Sequence, residues 1–180
     1  MKRVAALLIA LAVPATAQDL TPLEGPGTVA LMRHAIAPGT SDPAAFEIDD
    51  CSTQRTLSDD GRAQARKIGD MLREAGIGFD QVWSSLWCRA YETAELMDMG
   101  EVVPFPPLNS FFDGRGDTAA QTEDVLQALD KLDPDARVLL VTHQVNITEL
   151  TGIFPGSGEI LATERTGDGL NVVGRVAIAP

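Results

Sequence analysis

The sequence predicts an α/β fold of three layers, α/β/α, built on a mostly parallel central sheet. Three observations carry that expectation. Apolar runs of strand length alternate with amphipathic stretches at helical spacing, the pattern of βα units whose helices cover both faces of a sheet. Two of those runs, Val29-Ala30-Leu31-Met32 and Val138-Leu139-Leu140-Val141, stay apolar throughout, as buried strands do. The chain has 180 residues, 44% of them hydrophobic, which suits one ordinary domain with a real core and is short for two.

The N-terminal stretch falls outside this pattern. Met1-Lys2-Arg3 is basic, Val4 to Val13 is an unbroken apolar run, and Ala15-Thr16-Ala17 is a small-residue cleavage signature before Gln18. Residues 1–17 are therefore read as a secretory signal peptide and 18–180 as a single domain. The alternative, a retained membrane anchor, needs about 20 apolar residues, and the run is roughly half that before Pro14 interrupts it. No stable membrane insertion is expected after cleavage, and the protein is expected to be periplasmic or secreted.

The first strand begins near Thr28 and ends on Arg33 and His34. From Ala35 to Arg55 there is neither helical nor strand periodicity, which predicts a long loop leaving from the strand's carboxyl end; loops of such length are usually functional or disordered. Ser58-Asp59-Asp60 is a helix start, with a capping residue and first-turn acids, and Ala63, Ile68, Met71 and Leu72 continue it up to the Gly76 stop. Arg62, Arg66, Lys67 and Arg73 are expected on its solvated side. Phe79 to Ser85 reads as a second strand, and Leu86 to Met99 as a helix with Arg89 in its first turn.

Glu101 to Phe105 is expected to be a strand, followed by an extended crossing forced by Pro104, Pro106 and Pro107. Thr118 to Leu132 is an amphipathic helix, Arg137 to His143 a strand, and Val145 to Thr151 a short helix closed by Gly152. Thr166-Gly167-Asp168-Gly169, between two strand-like runs, is a hairpin signal.

In open α/β sheets ligands collect outside the carboxyl ends of the strands, and both histidines of the chain, His34 and His143, end apolar runs there. With 14 Lys and Arg against 26 Asp and Glu, the formal net charge is −12. Removing Lys2 and Arg3 takes this from −12 to −14. Such a balance argues against nucleic acid or an anionic membrane as partner, so any bound anion must be held locally. Two histidines with Arg33 and Arg89 suit a phosphoryl group, since arginine matches phosphate oxygens bidentately and neutral imidazole is a competent nucleophile. Arg89 has a second reading as a surface residue paired with Glu92 or Glu95. A zinc site would need more ligands and would be repelled by Arg33, so no metal is expected. The G-x-S-x-G elbow of a serine hydrolase is absent. Two satisfied histidines at strand ends remain the bland alternative.

Arg33-His34-Ala35 after an apolar strand resembles the R-H-G/A signature of the histidine phosphatase superfamily, which includes phosphoglycerate mutases, acid phosphatases and phytases. Three further blocks are similar and in order. Leu57 to Ala65 resembles the L-T/S-x-x-G-x-x-Q-A helix start, Ser84-Ser85 with Arg89-Ala90 and Thr93-Ala94 resembles S-S-x-x-x-R-A-x-x-T-A, and Val141-Thr142-His143 resembles the second-histidine strand. Four blocks in register are far more specific than any one. The resemblance implies a phosphoglycerate mutase-like fold. It also implies a reaction in which His34 attacks phosphorus and becomes a phosphohistidine, while Arg33, Arg89 and His143 hold the equatorial oxygens and water completes hydrolysis. No cofactor is implied, because fixed cationic donors stabilise the transferring group. Ser85 and Gln144 join Arg33, Arg89 and His143 as expected substrate contacts.

One part of the family pattern departs. Relatives that cleave alkyl phosphates carry a carboxylic acid either after the second histidine or in the segment beyond the arginine helix; here those regions offer Gln144 and Asn109. The nearest carboxyl is Asp113, whose other reading is a turn acid beside Gly114. Two functions therefore stand: an exported phosphatase acting on a small phosphorylated substrate or envelope phosphate ester, or a phosphate-binding protein of the same fold with little or no turnover. Export also allows Cys51 and Cys88 to pair, since both approach the His34 and Arg89 edge of the sheet; the alternative is two separate buried thiols.

Overall fold

The computed structural model describes residues 18–167 and 169–178. The expected signal peptide and Asp168 of the hairpin turn lie outside the described residues. Among those residues no helix is long and apolar enough to cross a membrane.

Six strands form one sheet: β1 (Val29–Arg33), β2 (Gln81–Ser84), β3 (Val102–Pro104), β4 (Val138–Thr142), β5 (Ile160–Thr166) and β6 (Gly169–Val176). Their spatial order is β3-β2-β4-β1-β5-β6. The pairings β3 to β2, β2 to β4 and β4 to β1 are parallel, whereas β5 runs antiparallel to β1 and pairs with β6 as the expected hairpin. The sheet is thus mostly parallel, with its antiparallel part at one edge.

Side-chain alternation in the central strands divides the core into two layers. Ala30, Met32, Leu139 and Val141 point to one face, where they pack with Ala65, Ile68 and Leu72 of helix α1 (Asp59–Glu74) and Ala90, Ala94 and Met97 of α2 (Cys88–Met97). Val29, Leu31, Val138 and Leu140 point to the other, against Val125 and Leu129 of α3 (Thr118–Asp130) and Ile147 of α4 (Gln144–Thr151). An apolar residue at every position is what two covered faces require, hence the unbroken runs.

Local chemistry sets the helix ends that matter for the site. Ser58 Oγ accepts the Gly61 N–H at 3.0 Å and starts α1, as its capping pattern predicts. A Cβ on Gly61 would collide with the Ile36 carbonyl, so glycine lets α1 lie against the chain leaving β1. Arg62 and Arg73 lie on the solvated side as expected and also reach α2: Arg62 Nε bonds Glu92 Oε1 at 2.6 Å, and Arg73 donates to the carbonyls of Met97 and Asp98 at the end of α2. Both clamp α1 to α2, and the Glu92 that Arg62 occupies is no longer a partner for Arg89.

Candidate active site

Parallel pairing places the carboxyl ends of β1 and β4 side by side, with Arg33 opposite Thr142. The next residue of each strand is a histidine. His34 N donates to the Thr142 carbonyl at 2.9 Å, and the two imidazole centroids stand 5.5 Å apart. Both histidines are nearly inaccessible, at 2% and 3%.

His34 has its tautomer set by its neighbour. Nδ1 lies 2.8 Å from the Ala35 carbonyl, an acceptor, so Nδ1 carries the proton and Nε2 carries the lone pair. Ala35 is itself held, its N–H bonded to Thr93 Oγ1 at 3.1 Å while that hydroxyl donates to the Arg89 carbonyl at 2.6 Å. Gln64, 2% exposed, accepts the Ile36 N–H and donates to the carbonyls of Ser157 and Ile178. The threonine and glutamine of the sequence blocks are thus the fastenings of the His34 turn.

Arg89 comes from the first turn of α2 and is 3% exposed. Its Nε donates to His34 Nε2 at 3.2 Å, while Nη1 and Nη2 form a two-pronged ion pair with Asp42 at 2.8 and 3.2 Å. The surface pairing considered for it, with Glu92 or Glu95, is not what the structure has. Asp42 belongs to the long loop after β1. Its carboxylate also accepts from Arg55 N at 3.0 Å and Trp87 Nε1 at 3.1 Å, making four donors in all.

Burial pushes the His34 imidazole down to about 3, reinforced by the Arg89 charge, and drives His143 well below its ordinary value through burial, then Arg89 and His34. Both are neutral at working pH. Burial followed by the Arg55 charge lowers Arg89 to about 10, which leaves it cationic at neutral pH. For Asp42, burial works upward, but the Arg55 N–H, the Arg89 guanidinium and the Trp87 indole together hold the carboxyl below its usual range.

His143 Nε2 is 2.8 Å from Ser85 Oγ, and its Nδ1 is buried without a partner among the described residues. If Ser85 donates to Nε2, Nδ1–H becomes an available donor, the state an anion would select. Ser85 does not line the cavity; it sits behind His143 and meets substrate only through it. Asn109 is turned the same way, its Oδ1 accepting from Leu86 N at 2.8 Å and lying 3.2 Å from Ser85 Oγ, whose single proton serves either Asn109 or His143.

The cavity above these groups has a volume of about 190 Å³. Arg33, His34, Arg89, His143, Asp113 and Gln144 all line it, so the structure gathers six of the seven expected site residues and places Ser85 one layer back. Gln144 donates to Thr148 Oγ1 at 2.9 Å. Asp113 sits near the mouth in the left-handed region at φ 57, a conformation uncommon outside glycine and often found where a side chain is aimed for a purpose. Sequence reasoning missed Asp42, Arg55, Arg115, Phe112 and Phe154, which also line the cavity. The latter two are among the few large apolar side chains left exposed.

A disulfide joins Cys51 to Cys88 and fastens the long loop beside Arg89. Gln54 adds a second tie, its Oε1 accepting the Cys88 N–H at 3.0 Å. Among the described residues no group of three His, Cys, Asp or Glu side chains is arranged to hold a metal ion.

Comparison with known proteins agrees with this geometry. Residues 29–110 match the model of the histidine phosphatase superfamily, branch 1. An uncharacterized protein of Picosynechococcus sp. is 28% identical over 142 residues, covering 78% of this chain and 76% of its own. Among solved structures, the protein histidine phosphatase SixA in complex with tungstate superposes with a TM-score of 0.62 at 18% identity, over 83% of this chain and 96% of that one. Phosphoserine phosphatase from Entamoeba histolytica, in complex with 3-phosphoglyceric acid, gives 0.60 at 14% identity, over 84% and 97%. These structural likenesses show a common fold.

Proposed function

We propose, from the chain's membership of the histidine phosphatase superfamily, that it is a metal-independent phosphatase which hydrolyses a phosphomonoester through a phosphohistidine on His34. The observation that carries this reading is the His34 ring itself. Nδ1–H is tied to the Ala35 carbonyl, so Nε2 bears the lone pair that attacks phosphorus once the Arg89 Nε–H it accepts at 3.2 Å gives way, and burial keeps that lone pair unprotonated. In the first step Nε2 forms a bond to phosphorus as the bond to the leaving oxygen breaks. Arg33 lines the same cavity as a donor to the phosphoryl oxygens, His143 joins it through Nδ1–H in the tautomer whose Nε2 accepts from Ser85, and Arg89 supplies charge beside the nucleophile. Water then attacks phosphorus, releases phosphate and restores the imidazole.

The leaving oxygen needs a proton. Two carboxyls line the cavity, and Asp42, held ionised by its four donors, is committed to Arg89. Asp113 is the donor this reading assigns. The signal-like N-terminal stretch supports export, so the substrate class is a small phosphorylated compound or an envelope phosphate ester in the periplasm or outside the cell.

A phosphate-binding protein of low turnover is the second reading, favoured by the occupation of the Arg89 fork by Asp42. Steady-state hydrolysis of p-nitrophenyl phosphate separates the two. Turnover that vanishes in His34→Ala supports the phosphatase, whereas binding of phosphate without turnover supports the alternative.

A further inference from the structure

A phosphoryl group in this cavity meets an arginine whose fork is already filled. Arg89 gives one N–H of each Nη to Asp42, a second N–H of Nη1 to the Arg55 carbonyl at 3.4 Å and its Nε–H to His34, so four of its five N–H groups are spent. The pair is sealed from solvent, with side-chain exposures of 4% and 7%. Replacing the carboxylate by substrate would mean breaking a buried ion pair that is also tied to Trp87 and to the backbone of Arg55. At most one N–H of Arg89 is left for a phosphoryl oxygen, so the other oxygens need further donors.

Arg55 has the properties required. It lines the cavity with Arg33 and Arg89, and among the described residues it forms no ion pair. One Nη donates to the Ala37 carbonyl, while Nε is buried with no partner. Arg33 is in the same condition: Nη1 bonds the Pro155 carbonyl at 3.0 Å and Nε is buried and unsatisfied. Two buried guanidinium N–H groups without acceptors, beside a nucleophile, are an unmet demand for oxygen acceptors. The charges point the same way, since Arg55 depresses the ionisation of Arg33, Arg89, His34 and His143 alike. Arg33, Arg55 and Arg89 less the Asp42 carboxylate leave two positive charges over neutral imidazoles, the complement of a phosphomonoester dianion, while Arg115 and Asp113 line the same cavity as a further pair of opposite charge type.

We propose that Arg55 is a phosphoryl-binding residue, joining Arg33 across the transferring group. The residue comes from the loop fastened by Cys51–Cys88, whose backbone Asp42 also grips. The loop therefore delivers a ligand to the site. This inference rests on the proposed phosphatase reading, and the experiment separates the two.

The test uses the full mature chain with inorganic phosphate and tungstate as probes, reading competitive inhibition of p-nitrophenyl phosphate hydrolysis and the rise in melting temperature at saturating probe. Arg55→Ala is expected to weaken inhibition by about ten- to a hundredfold, the range for losing charge-assisted hydrogen bonds, and to lose most of the thermal rise. Arg55→Lys keeps stem and charge without the fork; it covers the case in which the alanine variant fails to fold and should show a smaller loss. A residue that merely anchors the loop would lower the melting temperature without probe yet leave inhibition and the thermal rise intact, and that result overturns the proposal. If the wild type responds to the probes and both variants match it, Arg55 is no ligand while the phosphatase reading stands. A wild type that responds to neither probe overturns both.

Discussion

Arg89 meets Asp42 through both of its terminal nitrogens, Nη1 to Oδ1 at 2.8 Å and Nη2 to Oδ2 at 3.2 Å, and this leaves only Nε to face His34. The carboxylate sets the rotation of the guanidinium plane. Asp42→Asn keeps the shape but removes the charge, and a buried ion pair broken from one side costs about 3–5 kcal/mol. The variant should melt well below wild type. Its freed Arg89 fork should also accept phosphate, so the thermal rise on adding phosphate should exceed that of wild type. Denaturation curves with and without phosphate check both, and an unchanged melting temperature would show that the pair carries little stability.

The buried imidazoles predict how stability follows pH. The native pKa of His34 is about 3, and that of His143 is also far below 6.5. As pH falls below about 6.5 the unfolded chain binds protons that the native chain refuses, so acid destabilises the fold, by about 1.4 kcal/mol per pH unit for each histidine. Asp42, depressed in the native state, adds stability above its unfolded pKa that disappears only at lower pH, as its folded value is crossed. Urea unfolding at pH 5 and pH 7 should show the protein clearly more stable at pH 7, with a shallower dependence in His143→Gln. Equal stability at the two values would contradict neutral buried imidazoles.

The Cys51–Cys88 disulfide spans 37 residues and fastens the long segment after β1, which carries Asp42 and Arg55, to the start of α2. In the chain-entropy model such a closure contributes about 4 kcal/mol. Reduction, or Cys51→Ser with Cys88→Ser, should lower the melting temperature and raise KM for aryl phosphates, because the loop's two site residues lose their anchor. Thiol titration of the unreduced, denatured protein should find no free thiols.

On the proposed reading Asp113 protonates the leaving oxygen. General acid catalysis typically supplies about a hundred- to ten-thousandfold, and its loss falls on poor leaving groups. Asp113→Asn should therefore slow alkyl phosphates far more than p-nitrophenyl phosphate. Equal slowing of both, or none, would remove Asp113 from the chemistry.

How much of this was readable in advance follows from where the residues sit. His34 and His143 stand at the ends of two unbroken apolar runs, and a buried parallel strand can hardly be written any other way, so both the sheet edge and the two histidines that line the cavity were visible. The Ser58 cap and the turn at Gly152, φ 72, follow from local chemistry and were equally plain. Asp42 and Arg55 were not, because a loop without periodicity carries no signal of which side chains turn inward. Their burial is decided by Arg89, Trp87 and the disulfide, all distant in sequence. The one available clue was Cys51: paired with Cys88, it would bring its loop against Arg89. The Arg62–Glu92 pair was hidden for a related reason, since helical spacing gives the solvent-side stripe but not the Glu92 of a neighbouring helix.

The central claim is that His34 Nε2 becomes covalently phosphorylated, and rapid acid-free quenching of the enzyme during turnover of an aryl phosphate, followed by mass mapping of the peptide bearing residue 34, tests it most directly. The account predicts a single phosphoryl group on His34, acid-labile and stable to alkali, that is absent from His34→Ala. A phosphoryl adduct retained by that variant, or full turnover by it, would contradict the account.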